Sequence, residues 1–110
     1  MSYSVLITKR FEKELKRLVK KYPSLLSEFS ALLEAITENP TSGVPLGNHC
    51  YKIRLAIKSK GKGKRGGARV ITYVYVSEET VYLLTVYDKS EFENVLPSEL
   101  KLIIESIELS

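Results

Sequence analysis

Residues that commonly carry catalysis or crosslinks are scarce in this chain. Its 110 residues include one cysteine, Cys50, and one histidine, His49. A single cysteine excludes an internal disulfide framework and fits a reducing compartment. A single histidine excludes a catalytic histidine pair, and a lone loop histidine is more often structural or exposed than catalytic. No group of His, Cys, Asp and Glu has the spacing of a metal site, so we expect neither a metal nor a cofactor.

Long hydrophobic runs are absent as well. The longest, "VITYVYV" and "VYLLTVY", are far shorter than the roughly 20 apolar residues that cross a bilayer. The first residues, "MSYSVLITKRF", lack a charged segment followed by a long apolar one, so we expect no secretory signal. The composition, 44% hydrophobic and 27% charged, is typical of a soluble domain. We expect one cytoplasmic domain over residues 1–110, with no membrane partner.

Acidic residues are missing from the middle of the chain. None occurs between Glu38 and Glu78, whereas residues 51–70 carry eight of the seventeen lysines and arginines. The rest of the chain has nine basic and thirteen acidic residues, so positive charge is concentrated in one segment. Such a distribution favours a polyanionic partner. The alternative is a solvated, lysine-rich hairpin that binds nothing.

The apolar pattern predicts seven secondary-structure elements. "SYSVLIT" alternates and predicts a strand. "FEKELKRLVKKY" and "SLLSEFSALLEAI" have apolar residues at helical spacing and predict two helices that meet at Tyr22-Pro23. "TSGVPLGNH" predicts a loop. "CYKIRLAIK", "ARVITYVYV" and "TVYLLTVYD" predict three strands, and "PSELKLIIESIEL" predicts a last helix.

The order β-α-α-β-β-β-α indicates an α+β fold. Consecutive strands joined by short turns pair antiparallel, so we expect a small antiparallel sheet. The apolar stripes of the helices must be buried, so we expect the helical hairpin and the last helix to cover one face of that sheet. The other face would remain open.

A glycine- and lysine-rich loop, "KSKGKGKRGGAR", links two of the predicted strands at residues 58–69. A Walker phosphate loop would need Lys-Ser or Lys-Thr where Gly67-Ala68 stands, and a helix behind it. A sorting signal is a further alternative, although the flanking strands favour a folded site. We interpret the loop as a hairpin tip that meets phosphates. Its candidate RNA- or ribosome-binding residues are Lys58, Lys60, Lys62, Lys64 and Arg65.

Alternation places further basic residues on one face of the predicted sheet. Residues two apart on a strand point the same way, and antiparallel pairing across the loop brings neighbouring strands side by side. Buried cations are costly, so we expect this face to be exposed to an anionic ligand. The expected row consists of Lys52, Arg54, Arg69, Thr85, Tyr87 and Lys89.

At these residues the chain resembles a known superfamily. "CYKIRLAIKSKGKGKRGGARVITYVYV" with "VYLLTVYDKSEFENV" is similar to the RelE/ParE toxins of bacterial toxin–antitoxin pairs, and most to the HigB-like RelE branch. In that branch a Lys/Gly-rich hairpin precedes strands like "GG-x-R-[VI]-I-Y-Y" and "YLLT-[VI]-Y-x-K". The similarity covers residues 51–95, and the flanking helices agree in order. The resemblance implies a RelE-like fold.

The resemblance also implies a function. Such a protein would be a ribosome-dependent endoribonuclease, or mRNA interferase, that cuts mRNA in the decoding site and inhibits translation. A cognate antitoxin would silence it, so its partners would be that antitoxin, the ribosome and mRNA. We expect a monomer when the antitoxin is absent.

Positions that match the family motif receive roles from the resemblance. Lys52 and Arg54 match the basic pair of one strand, and Arg69 matches the phosphate-contacting arginine of the next. Tyr87 and Lys89 match the "Y-x-K" ending. Cleavage through the ribose 2′-hydroxyl needs a base, stabilisation of a phosphorane and an acid.

We assign these tasks to the matching residues. A lysine among other cations loses its proton more readily, which favours Lys52 as the base. Arg69 would hold the scissile phosphate with help from Arg54, and Lys89 is the candidate acid. Tyr87 would stack on a base or orient the phosphate; packing alone is its alternative role.

Two departures leave the general acid open. Some family members carry a tyrosine where this chain has Val95, and an arginine where it has Lys89. Two other functions also stay open: a ParE-like poison of DNA gyrase, and a non-catalytic module that binds RNA or the ribosome through charge. Retention of the basic residues argues against the gyrase poison.

Overall fold

Five strands and three α-helices are found in residues 3–61, 66–91 and 97–108, the part of the chain that this computed structural model describes. In chain order they are β1 (Ser4–Ile7), α1 (Lys9–Lys21), α2 (Leu25–Glu38), β2 (Val44–Gly47), β3 (Cys50–Leu55), β4 (Ala68–Tyr75), β5 (Thr80–Asp88) and α3 (Pro97–Glu108). The strands form one sheet in the order β1-β5-β4-β3-β2. The α+β class predicted from the sequence is confirmed. None of the helices in the described ranges is long and apolar enough to cross a membrane.

The sheet is mixed rather than purely antiparallel. Its centre is the expected antiparallel meander of β3, β4 and β5. At one edge, however, β1 runs parallel to β5, with Ser4 opposite Thr80 and Ile7 opposite Leu83. Parallel neighbours need a long crossover, and here the chain passes through α1 and α2 and the other strands before it returns beside β1.

At the other edge, β2 forms a strand where the sequence predicted a loop. It pairs antiparallel with β3 and meets it at Gly47 and Cys50. The two residues between, Asn48 and His49, have φ of 52° and 63°, the left-handed values of a tight hairpin turn. Pro45 is tolerated because an edge strand has one side without a partner strand. The strand escaped prediction because its glycines and proline are typical of loops.

The two N-terminal helices pack on one face of the sheet. The hydroxyl of Thr8 caps α1 by accepting a hydrogen bond from the backbone N–H of Phe11 at 3.2 Å. The break between the helices falls at Tyr22-Pro23, as predicted. The buried core on this face contains Phe11, Leu18, Leu25, Phe29, Leu32 and Ile36 from the helices, and Ile53, Val70, Val74, Val81, Leu83 and Val86 from the sheet.

The last helix, α3, packs on the opposite face, so the prediction that all helices cover one face was wrong. Leu100 and Ile103 join a second apolar cluster with sheet residues such as Ile71 and Leu84. The two central strands β4 and β5 carry apolar residues at successive positions, and both of their faces therefore need cover.

A β-bulge in β5 changes which of its side chains share a face. In the register with β4, Leu83 and Thr85 lie opposite consecutive residues, so Leu84 is an extra residue. The hydroxyl of Thr85 donates a hydrogen bond to Glu14 of α1 at 2.7 Å. The bulge lies before Thr85, and Thr85 and Tyr87 pair regularly with Ile71 and Arg69, so the expectation that they share one row is confirmed.

Candidate functional site

A row of basic and aromatic side chains crosses the three central strands. Arg54 of β3 lies opposite Arg69 of β4, which in turn lies opposite Tyr87 of β5. Lys52 is two residues from Arg54 on the same strand and so shares its face. The structure thus brings together four of the predicted site residues. We call Lys52, Arg54, Arg69 and Tyr87 the basic row.

Arg69 differs from the expectation of a solvent-exposed cation. Only 4% of the residue is exposed, and its Nη1 donates a hydrogen bond to the carbonyl of Ala68 at 3.0 Å. Burial, followed by the like charge of Arg54, lowers the pKa of Arg69. An arginine nevertheless stays charged at neutral pH. A guanidinium withdrawn from water interacts more strongly with an anion than an exposed one does.

Tyr87 is also buried, with 3% exposed. It belongs to the apolar cluster under α3, together with Leu100 and Ile103. Burial raises the pKa of the Tyr87 phenol, and the charge of Arg69 opposes this shift only in part. The phenol therefore stays protonated at neutral pH and is a donor rather than a base. Its place beside Arg69 fits orienting a phosphate as well as packing.

The remaining cations of the site lie nearer to solvent. Lys52 is half-buried, and Arg54 is exposed. Lys89 follows β5 and is exposed, while its backbone N–H donates a hydrogen bond to the carbonyl of Gly67 at 3.1 Å. A Cβ on Gly67 would collide with the backbone oxygen of Leu55, so this close approach of two backbone segments requires glycine.

The basic loop, residues 58–69, does not present all its lysines to solvent. Lys58 is exposed. Lys60 is turned inward: its ammonium pairs with the Asp88 carboxylate at 2.5 Å and lies 5.7 Å from the centre of the Tyr22 ring. The prediction that Lys60 contacts phosphate conflicts with this placement, because a buried carboxylate already holds its charge. Three further predicted contacts, Lys62, Lys64 and Arg65, lie outside the described residues.

Asp88 is a neighbour of the site that the sequence analysis missed. It is fully buried, and its Oδ2 accepts a hydrogen bond from the Tyr22 hydroxyl at 2.9 Å. Burial alone would raise the pKa of Asp88, but hydrogen bonds from Lys60, Ser90 and Tyr22 outweigh it and hold the pKa well below its usual range. The sequence did contain a signal for the position of Asp88. Because Asp88 follows Tyr87 directly in β5, its side chain points to the other face of the sheet, which the two N-terminal helices cover.

The lone cysteine and histidine lie outside the basic row. Cys50 is buried under α3, and burial raises the pKa of its thiol to about 11, so it is no nucleophile at neutral pH. His49 is exposed in the β2–β3 turn, where its ring meets the edge of Tyr73. Within the described ranges, no group of three or more His, Cys, Asp or Glu residues could hold a metal ion.

A separate apolar groove of about 670 Å³ runs between β1, the start of α1, and α3. Its exposed apolar residues include Leu6, Ile7 and Leu102, which are 49%, 45% and 66% exposed. Lys9 and Arg10 line it beside them. We call this surface the α3 groove. Exposed apolar side chains that adjoin one another in a concave surface are typical of a protein contact.

A family model matches nearly the whole chain. The model is described as the RelE toxin of the RelE/RelB toxin–antitoxin system, and it matches residues 4–107.

Solved structures with a similar fold are toxins as well. A double mutant of the E. coli toxin RelE in its free state is 22% identical, with a TM-score of 0.60 over 84% of this chain and 90% of that one. The E. coli RelBE toxin–antitoxin complex matches at 21% identity and TM-score 0.60, over 79% and 96% of the two chains. The RelBE2 complex of Mycobacterium tuberculosis matches at 21% and 0.58, over 80% and 92%. At these identities the likeness to the solved structures concerns the fold.

Proposed function

Because the chain belongs to the RelE family of toxins from RelE/RelB toxin–antitoxin systems, we propose that it is a ribosome-dependent endoribonuclease that cuts mRNA and stops translation. The observation that supports this most is the basic row. Two arginines from adjacent strands and a protonated phenol meet on one sheet face, with a lysine two residues away. Such a set of donors suits a phosphate that gains negative charge during reaction.

The proposed reaction is attack of the ribose 2′-oxygen on the adjacent phosphorus, followed by departure of the 5′-oxygen. Lys52 takes the proton of the 2′-hydroxyl. Arg69 binds the non-bridging oxygens of the phosphorane, where a planar guanidinium offers two parallel donors. Arg54 adds a second positive charge to the same phosphate, and Lys89 gives a proton to the leaving 5′-oxygen. The products are a 2′,3′-cyclic phosphate and a 5′-hydroxyl.

Burial of Arg69 suits this task. Its guanidinium has already lost most of its exposure to water and is held within a strand by pairing on both sides. Little solvent has to reorganise when charge develops on the phosphate, which is how fixed donors accelerate a reaction. Lysines are weak acids and poor bases at neutral pH. A large part of the acceleration must then come from alignment of the mRNA, and the ribosome would supply that alignment.

We further propose that a cognate antitoxin binds this chain at the α3 groove. Two of the solved relatives are toxin–antitoxin complexes. The α3 groove offers exposed Leu6, Ile7 and Leu102. Two cations, Lys9 and Arg10, and one carboxylate, Glu99, line it beside them, so the charged side chains have a net positive charge. This chemistry fits an amphipathic segment with apolar residues on one side and acidic residues at its margin.

Pulse-labelling of bacteria that express the chain tests the proposed function. Incorporation of labelled amino acids should fall before that of labelled thymidine, and co-expression of the antitoxin should restore growth. Purified protein should cut ribosome-bound mRNA and leave the cyclic phosphate end. An earlier fall in DNA synthesis would point to a gyrase poison instead. Normal growth with soluble protein would contradict both toxin functions and leave a non-catalytic binding module.

A further inference from the structure

We infer that Lys60 and Asp88 form an anchor that fixes the start of the basic loop, so that Lys60 acts as a positioning residue and not as an RNA contact. The inference rests on the proposed function for the identity of the ligand, a single-stranded RNA. The anchor itself follows from contacts within the chain. It assigns a task to a buried ion pair that the proposed reaction does not use.

The carboxylate of Asp88 is surrounded by donors. Its Oδ1 accepts from the Lys60 ammonium at 2.5 Å, and from the backbone N–H and hydroxyl of Ser90 at 2.9 and 2.8 Å. Its Oδ2 accepts from the Tyr22 hydroxyl at 2.9 Å. The Lys60 side chain is 11% exposed and that of Asp88 is 0% exposed. Breaking a pair buried this deeply leaves an uncompensated charge, so its geometry is strongly preferred.

The two residues before Lys60 are fixed by the second helix and its cap. The backbone N–H of Ser59 donates to the Ser24 hydroxyl, while the Ser59 hydroxyl accepts from the Ser24 N–H, both at 2.8 Å. The N–H of Lys58 donates to Glu28 at 2.7 Å. Three consecutive residues at the start of the basic loop are thus held by side chains of distant elements.

The anchor is connected to the basic row through β5. Asp88 lies directly between Tyr87 and Lys89 in the chain, so one short segment holds both the carboxylate of the anchor and two candidate site residues. The N–H of Lys89 also binds the carbonyl of Gly67, near the other end of the loop. Both ends of the loop are therefore fastened to the end of β5. Residues 58–60 and Gly67, which are fixed in this way, lose less conformational entropy when a ligand binds.

The substitution Asp88→Asn distinguishes an effect of charge from an effect of loop position, because the two predict opposite changes in RNA affinity. Asp88→Asn removes one negative charge, so the net charge rises by one, and it releases Lys60 from its partner. If charge alone governed RNA binding, the variant would bind a polyanion more tightly. If Asp88 positions the loop, the variant binds more weakly despite its higher net charge.

The test uses the full chain, a short single-stranded oligoribonucleotide as probe, and four variants: Lys60→Met, Asp88→Asn, the double variant, and Lys58→Met. Amide hydrogen exchange should quicken at Lys58 and Ser59 by more than about tenfold in the first three, while the β4 amides report separately how much global stability each variant loses. RNA affinity should fall in the same three. The double variant should resemble either single one, since the two residues act as a unit.

The salt dependence of binding separates a positioning lysine from a contacting one. Lys58→Met should lower the slope of log affinity against log salt by about 0.7, as expected when one lysine no longer neutralises a phosphate of a single strand. Lys60→Met should leave the slope at the parent value. A drop of about 0.7 for Lys60→Met would overturn the inference, as would tighter RNA binding by Asp88→Asn.

The outcomes distinguish the anchor from the proposed function. Unchanged exchange at Lys58 and Ser59 in Asp88→Asn would overturn the anchor even if the parent cuts mRNA. Faster exchange at Lys58 and Ser59 together with parent-like RNA affinity would show that the Lys60–Asp88 pair only stabilises the fold. That result would overturn the inference that the pair positions the loop for RNA. If the parent neither binds the probe nor cuts ribosome-bound mRNA, the proposed function fails, and the exchange experiment still decides whether the anchor exists.

Discussion

At the scale of single residues, the burial of Arg69 is the feature that bears most on chemistry. We predict that Arg69→Ala lowers the single-turnover cleavage of ribosome-bound mRNA by about 10²–10³, the usual effect of removing one fixed donor to a transition-state oxyanion. Ribosome binding should fall much less because other cations share that task. Arg69→Lys should recover part of the rate, since it restores charge without the planar pair of donors.

The melting temperature is the control for Arg69, because a buried arginine also contributes to packing. Cleavage by Arg69→Ala at the parent rate would show that the guanidinium has no part in the reaction. Slow cleavage with a lowered melting temperature would make Arg69 structural and move the site towards Lys52 and Lys89.

Asp88 makes stability depend on pH. Its folded-state pKa lies below the unfolded value of about 3.9. The carboxylate therefore stabilises the fold above that pH, and its contribution is lost as the pH falls towards the folded-state pKa. We predict that Asp88→Asn lowers the free energy of unfolding by about 3–5 kcal/mol at neutral pH, because it leaves Lys60 buried without its partner.

The same effect should shrink in acid. Urea denaturation of parent and Asp88→Asn should give converging stabilities as the pH falls below about 4, since the carboxyl of the unfolded parent takes up a proton there while the folded one stays charged. A difference that stays constant across this pH range would mean that the charge of Asp88 is not what stabilises the protein.

The candidate site could be predicted from the sequence where strand geometry alone decides it. Pairing across a hairpin places Arg54 beside Arg69, and alternation along one strand adds Lys52. The partner of Lys60 could not be found in this way. Asp88 is 28 residues away, and the pair forms only because the loop, β5 and the end of α1 meet in three dimensions.

At the scale of elements, α3 presents an exposed apolar edge beside β1. We predict that Leu102→Glu weakens binding of the cognate antitoxin by at least about tenfold, because it replaces an apolar contact by a charged group that is costly to dehydrate. Its exposure of 66% means that the fold should tolerate the change. Isothermal titration with the antitoxin measures the effect.

A matched control is available on another helix. Leu26 of α2 is 59% exposed and does not line the α3 groove. Leu26→Glu changes charge and hydrophobicity equally and should bind antitoxin as the parent does. Equal weakening by both variants would contradict a specific contact at the α3 groove. Unchanged binding by both variants would contradict it as well.

Element prediction succeeded where period and length were clear. The spacing of Phe11, Leu18, Phe29 and Ile36 reveals two helices with one buried stripe each. The strand β2 could not be predicted, because its four residues become extended only by pairing with β3. The face of the sheet on which α3 packs could not be predicted either. Both faces of β4 and β5 are apolar, and the apolar pattern does not say which helix covers which face.

At the scale of the whole molecule, positive charge is concentrated in residues 51–70 on a body with an acidic excess. We predict that replacing Lys58, Lys62 and Lys64 by Ala lowers the salt slope of single-stranded RNA binding by about 0.7 for each phosphate that is no longer neutralised. The melting temperature should change little at exposed Lys58. Filter binding or anisotropy across a range of salt concentrations measures the slope.

A second triple variant controls for net charge. Lys13, Lys16 and Lys20 are exposed on α1, and their replacement by Ala removes the same total charge. The slope should then stay near the parent value. If both triple variants lower it equally, RNA senses the overall charge of the protein and not the basic loop.

The position of β5 has a consequence for the moment at which activity arises during synthesis. This strand lies between β1 and β4, and it pairs with residues made long before it, Ser4 with Thr80 among them. In a nascent chain that has not yet produced β5, β1 has no neighbouring strand to pair with, and Tyr87 has not been made. Contacts so distant in sequence also form slowly. A nascent chain therefore lacks the complete basic row until β5 has been made, however early β3 and β4 are formed.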